Sequence, residues 1–179
     1  MRKYGHPDWT AVRVVSVAMV GILSATAVAS FAGLRINTSY SLPLGVYIRT
    51  NDPHADLVEF CPAKPFAAES SSRGYRTVGT GCPDGAVPLL KRIVAVVGDH
   101  VVFSPAGIRV NGTLLPKTAP LYRDRSGRRL HPWPFGSYTV GRGSVWVAST
   151  YNVGSYDSRY MGPIKTDQIR GRLRPLWLL

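Results

Sequence analysis

Apolar and polar positions fall into two regimes along this chain. From Val14 to Leu34, 21 residues run without a charge, and the interruptions are small: Ser16, Gly21, Ser24, Thr26 and Ser30. A helix over that stretch is about 31 Å long, matching the hydrocarbon core of a bilayer, and it is apolar on all sides. After Leu34 the pattern changes to short β-branched runs divided by Pro, Gly, Asn and Asp. These are Ile36–Thr50 (broken by Pro43 and Gly45), Asp56–Phe60, Pro88–Asp99, Val101–Phe103, Ile108–Val110, Ser144–Ala148 and one short strand within Ile169–Leu179. Short strands without a helical period predict a mainly β domain. Asn111-Gly112 is a hairpin turn. Cys61–Gly85 reads as a long Pro/Ser/Gly loop, and the basic, proline-rich Leu121–Arg142 as an exposed excursion or lid.

Three segments are therefore expected: a cytoplasmic N-terminus over 1–13, a transmembrane signal-anchor helix over 14–34, and an exported domain over 36–179. Arg2, Lys3 and Arg13 hold the N-terminus in the cytoplasm, so the domain faces the periplasm from a single pass through the inner membrane. Ala27-Val28-Ala29 has the small-x-small pattern that ends a cleavable leader. The apolar run is longer than the roughly 7–15 residues of a leader's core, which favours an uncleaved anchor.

Charge narrows the partners. The net charge of +12 suits nucleic acid, anionic lipid or an acidic protein. No helix-turn-helix, zinc-finger or aromatic RNA-binding pattern accompanies it, so the lipid bilayer is the expected partner and nucleic acid is not. Four scattered histidines and two cysteines give no metal-ligand spacing, and neither metal nor cofactor is expected. In an oxidising compartment Cys61 and Cys82 are expected to pair, closing a loop of about 20 residues and contributing ~3 kcal/mol.

The candidate chemistry starts at Lys91. On the predicted strand it shares a face with Leu89, Ile93, Ala95 and Val97, whereas Arg92 points the other way without an assigned role. An edge strand with snorkelling charges is the plainer reading. The sharper one is a lysine kept neutral by burial so that it can act as a base. Lowering its pKa from about 10.4 to ~7–8 takes roughly 4 kcal/mol of desolvation. Such a base needs a nucleophile, and serine–lysine pairs are a known form of that arrangement. Ser39 and Ser41 sit on a strand-to-turn transition, and a dense polar cluster, Ser155 to Gly162, lies near the C-terminus.

In order, Ser39-Tyr40-Ser41-Leu42-Pro43-Leu44-Gly45, Asp56–Phe60, Lys91-Arg92-Ile93-Val94 through Gly98-Asp99, Val110-Asn111-Gly112 and Ser155–Gly162 resemble the boxes of the membrane-bound serine–lysine signal peptidases (peptidase S26). The closer likeness is to their TraF, conjugative-transfer branch. The resemblance implies a signal-peptidase-like β-fold. It makes Ser41 the nucleophile, Lys91 the general base, Ser39 an oxyanion helper, Ser155 the serine that orients the lysine, and Asp157 and Arg159 a supporting pair. Thr150–Gly154 departs from the Gly-Asp-Asn that usually opens the last box. With only one span and a small domain, this points to the TraF branch rather than a general signal peptidase. The implied substrate is a membrane-anchored precursor such as propilin, cleaved with or without cyclisation. A general type I signal peptidase and a non-enzymatic, basic component of a secretion apparatus are the alternatives.

Overall fold

The computed structural model describes residues 9–31 and 33–179. The first 8 residues and Ala32, with the parts of the expected cytoplasmic segment and membrane span that fall on them, lie outside the described residues. The chain divides into two units, Met1–Arg35 and Ile36–Leu179. The first contains α1 (Trp9–Phe31). Its described apolar side chains, among them Val14, Val15, Val17, Met19 and Val20, are exposed. Among the described residues, no helix is long and apolar enough to cross a membrane.

The second unit is mainly β, as its turn-punctuated sequence predicts. Strands β1 (Leu34–Asn37), β2 (Gly45–Thr50), β3 (Leu57–Phe60), β4 (Leu89–Ala95), β9 (Ser144–Ala148), β10 (Ile164–Lys165) and β11 (Ile169–Leu178) form one sheet. Their order is β1-β2-β11-β3-β4-β9-β10. Strands β5 (His100–Ser104), β6 (Gly107–Val110), β7 (Thr113–Leu114) and β8 (Gly136–Thr139) form a second, ordered β7-β6-β5-β8. The pairings among β2 to β11 are antiparallel. Asn111 (φ 47°) and Gly112 (φ 87°) connect β6 to β7 as the two positive-φ residues of a tight hairpin.

Strand β9 joins the two sheets into one packed body. Val145 and Val147 enter a core with Val58, Phe60, Leu89, Ile93 and Tyr160, while Trp146 and Ala148 enter another with Val101, Phe103 and Ile108. Both faces of SVWVA are thus covered, which is why the run is apolar without alternation. A third cluster, Leu42, Tyr47, Leu57 and Leu173, lies under the turn that carries Ser41.

Several elements differ from the sequence expectation. The tail is not a short terminal strand but the ten-residue β11, inserted between β2 and β3. Its basic residues disguise it, because Arg170 and Arg174 lie on the exposed face while Leu173 is buried. Strand β4 ends at Ala95, and Val96 and Val97 are exposed in a turn where the Asp99 carboxylate accepts from Val96 N at 2.8 Å. The Cys61–Gly85 loop contains a helix, α2 (Phe66–Ser72), too short to show a period beyond buried Ala67 and Ser70. The Leu121–Arg142 excursion is no free lid. It contributes β8, Leu130 is buried, and Trp133 N donates to Arg159 O at 2.7 Å.

Cys61 and Cys82 form a disulfide. Inside the loop they close, buried Arg76 donates to Ser70 Oγ and Ala67 O at 2.8 Å each and pairs with Asp84. A Cys61→Ser/Cys82→Ser variant should lose about 3 kcal/mol of stability from the longer-ranging unfolded loop, read as a lower urea midpoint. Added reductant should lower the wild-type midpoint and leave the variant's unchanged.

Candidate active site

Lys91 belongs to an interior strand, since β4 runs between β3 and β9. Position by position along Leu89–Ala95, every other residue is buried, and Lys91 falls on that face, opposite Val58. It is 2% exposed. Burial lowers its pKa from 10.5 to about 8, with the Asp157 carboxylate opposing the shift and the Arg159 guanidinium adding to it. Nζ donates to Leu90 O at 3.1 Å. Arg92, on the opposite face, pairs with Asp56 at the surface, both side chains nearly half exposed. Such pairs contribute little, so Arg92 is a solvated partner and no part of the site.

Ser41 lies in the turn between β1 and β2, and its Oγ is 3.1 Å from Ser155 Oγ, either of which can donate. The sequence places these two serines 114 positions apart, and the fold brings them together. Ser155, expected to orient the lysine, has its Oγ against Ser41 Oγ; among the described residues no hydrogen bond joins Lys91 to Ser41 or Ser155. Ser39 is exposed, and its Oγ is 2.9 Å from Asn37 Oδ1.

Behind the serines sits a buried ion pair. Asp157 caps α3 (Ser158–Met161), accepting from Arg159 N at 3.2 Å and from Ser149 N at 3.0 Å. Arg159 meets the same carboxylate with Nε and Nη2, 2.8 Å each, and both side chains are fully buried. The guanidinium also donates to Val153 O at 2.6 Å, Ser155 O at 2.9 Å and Lys117 O at 3.2 Å. Burial pushes Asp157 up, but Arg159 and the backbone N–H of Ser149 outweigh it and leave the carboxyl below its usual range. Gly162 ends α3 at φ 67°, and a Cβ there would lie 2.5 Å from the Trp133 ring, so only glycine lets the excursion pack on this helix.

Three contacts of the site went unread in the sequence. Asn37 holds the Ser41 turn, and the signal was available, because an Asn two residues before a turn serine marks an Asx turn. Tyr47 OH donates to Pro43 O at 2.7 Å. Tyr156 OH donates to Glu69 Oε2 at 2.6 Å, bracing the residue after Ser155 against α2, and neither partner's spacing announces that bond. Among the described residues there is no group of His, Cys, Asp and Glu side chains able to hold a metal.

A buried lysine of lowered pKa, two serines in contact and a fully buried Asp–Arg pair make up the candidate site. Residues 7–178 match the family described as signal peptidase, peptidase S26, and the chain belongs to this family of serine peptidases. It is 38% identical over 151 residues to the plasmid transfer protein TraF of Escherichia coli, covering 83% of this chain and 85% of that protein. A second plasmid transfer protein TraF of that species is 37% identical, with 90% and 92% covered. A probable conjugal transfer protein TraF of Sinorhizobium fredii is 38% identical, with 95% and 89% covered. Among solved structures, signal peptidase I of Enterococcus faecalis aligns with a TM-score of 0.38 at 19% identity, over 69% of this chain and 98% of that one.

Proposed function

We propose that this chain is a membrane-anchored endopeptidase that removes the leader of an exported precursor, a conjugative propilin, with Ser41 as nucleophile and Lys91 as general base. The observation that carries the reading is Lys91, buried on an interior strand and held at about 8, within electrostatic reach of Asp157 and Arg159. At pH 7 a pKa of about 8 leaves roughly a tenth of the lysine neutral, against well under a thousandth for an ordinary lysine. The non-enzymatic alternative needs Lys91 charged and accessible, which its burial disfavours.

In this mechanism Lys91 takes the proton of Ser41 Oγ, directly or through Ser155, as Oγ attacks the scissile carbonyl. The Ser41 backbone N–H and the Ser39 hydroxyl face the developing oxyanion. Lys91 then protonates the leaving amine, and water, or a peptide amine if the product is cyclised, resolves the acyl-enzyme. The Asp157–Arg159 pair holds the backbone of Ser155 rather than touching substrate. Anchorage through Val14–Leu34, with the domain on the periplasmic side, rests on the sequence. Enzyme and precursor in one bilayer meet at high effective concentration. The relatives named as plasmid and conjugal transfer proteins support a transfer-system substrate over a general one.

The test is cleavage by the full chain in vesicles, offered a conjugative pilin precursor and an ordinary secretory precursor. The pilin precursor should lose its leader and the secretory one should come through uncut. A product one water lighter than leaderless pilin identifies cyclisation, and an uncut pilin precursor sinks the proposal.

A further inference from the structure

The turn that carries Ser41 has little backbone support of its own. Beyond the weak Ser39–Leu42 closure that makes Tyr40-Ser41 a turn, no close backbone–backbone turn or loop bond joins two residues between 38 and 43, and the nearest one, Leu179 N to Leu44 O at 2.9 Å, holds only its end. Two side chains take over that role: Tyr47 OH holds Pro43 O at 2.7 Å, and Asn37 makes the other contacts. Asn37, the last residue of β1, is 6% exposed. Its Nδ2 is 2.9 Å from Ser39 O, 3.0 Å from Pro43 O and 3.2 Å from Leu42 O, so it spans the turn from one side of Ser41 to the other. Its Oδ1 accepts from Ser39 N at 3.1 Å and from Ser39 Oγ at 2.9 Å. A carboxamide has two donors and two acceptor sites, and all are engaged.

We infer that Asn37 is a positioning residue for the nucleophile: its carboxamide fixes the 38–44 turn so that Ser41 Oγ is presented to Ser155, and it fixes the Ser39 hydroxyl. The inference rests on the reading of Ser41 as nucleophile. The carboxamide oxygen can only accept, so Ser39 Oγ donates its proton to Asn37 in the resting site. Ser39 therefore assists an oxyanion only by turning that proton away from Asn37. The arrangement also requires Asn over Asp. A carboxylate at the same place would set a negative oxygen against the carbonyls of Ser39, Leu42 and Pro43, with no donor for any of them.

The isosteric Asn37→Asp variant separates hydrogen bonding from shape. Displacing a catalytic group by about 1 Å costs on the order of 10²-fold in rate. The full-chain variant, assayed on the pilin precursor, should thus show kcat about 10²-fold lower, with KM within a fewfold of wild type and the pH midpoint still near 8. Asn37→Gln, which keeps both polar groups one methylene further out, should lower kcat in the same direction and serves if Asn37→Asp does not fold. In a cycle with Ser39→Ala, the Asn37→Gln/Ser39→Ala double variant should lose less than the two single losses multiplied, because Asn37 acts partly through Ser39. Wild-type kcat in a folded Asn37 variant overturns the inference, as does a loss that only tracks the melted fraction. A Ser41→Ala arm is read separately: full activity there removes the nucleophile reading itself.

Discussion

Lys91→Met enzyme will be nearly inert and yet more stable than the wild type at neutral pH. Methionine keeps the unbranched stem opposite Val58 and removes only the ammonium. Losing a positioned base should lower kcat on the order of 10³-fold. The gain in stability follows from linkage. Burial has moved the native pKa from 10.5 down to about 8, Arg159 adding to the shift and Asp157 opposing it. Between those values the unfolded chain holds a proton that the native chain has released, so wild-type stability rises with pH across that window. Below about 8 the native state carries the whole penalty of a desolvated cation, roughly 3 kcal/mol for a gap of about 2.5 pH units. Above about 10.5 both states are neutral and the penalty is gone. Urea midpoints for variant and wild type should therefore differ most near pH 7 and converge near pH 10.5. A difference that does not change with pH would show that Lys91 is not the desolvated group. In parallel, wild-type cleavage should rise about tenfold per pH unit up to about 8 and then level, while Ser41→Ala shows no cleavage at any pH.

The same lysine shows how far the sequence could be read. Alternation along PLLKRIVA puts Lys91 among apolar neighbours, and the turn residues around Ser41 mark the other half of the site, so both serine and lysine are visible locally. That they belong to one site, as proposed, is not visible there, since the strand order around them depends on β11 entering between β2 and β3 and on β9 covering β4. Strand β11 itself is hidden because antiparallel sheets tolerate a charged outer face, which makes a central strand look like a basic tail. Helix α2 is hidden by its length, and the excursion by its charge. In both cases the buried residues, Ala67 and Ser70 in the one and Leu130 and Val140 in the other, are too few to make a period. What was least legible is the polar scaffold. Tyr47, Ser149 and Ser158 act through backbone groups, which carry no sequence signal of their own. The partner of Arg92 was equally out of reach, because Asp56 precedes β3, whose Leu57 lies opposite Arg92, and only that pairing brings the two together.

Arg159→Leu should be the most destabilising single change at the site, at about 3–5 kcal/mol, because it strips one partner from a fully buried pair. For a domain of this size that is a drop of about 10–15 °C in Tm. Two losses combine. Asp157 keeps its bonds from Ser149 N and the residue-159 N–H but loses the guanidinium, and the carbonyls of Val153, Ser155 and Lys117 lose their donor. The loops bearing Ser155 and Lys117 then come apart from α3, so cleavage should fall with stability. A cycle separates the two losses. Arg159→Leu/Asp157→Asn removes the stranded charge, keeps an acceptor for Ser149 N and the residue-159 N–H, and leaves the carbonyls orphaned, so it should be no less stable than Arg159→Leu alone. Acid gives a second check. In the wild type the Asp157 carboxyl lies below its usual range, so its contribution is present above the unfolded carboxylate pKa and is lost as pH falls through the lower native value. In Arg159→Leu burial acts without its opponent and pushes the carboxyl up, so protonation stabilises the native state as pH falls. The variant's deficit should shrink as pH falls towards the unfolded carboxylate value of about 3.9. A deficit that stays constant over that range would mean the orphaned carbonyls, not the stranded Asp157, carry the loss.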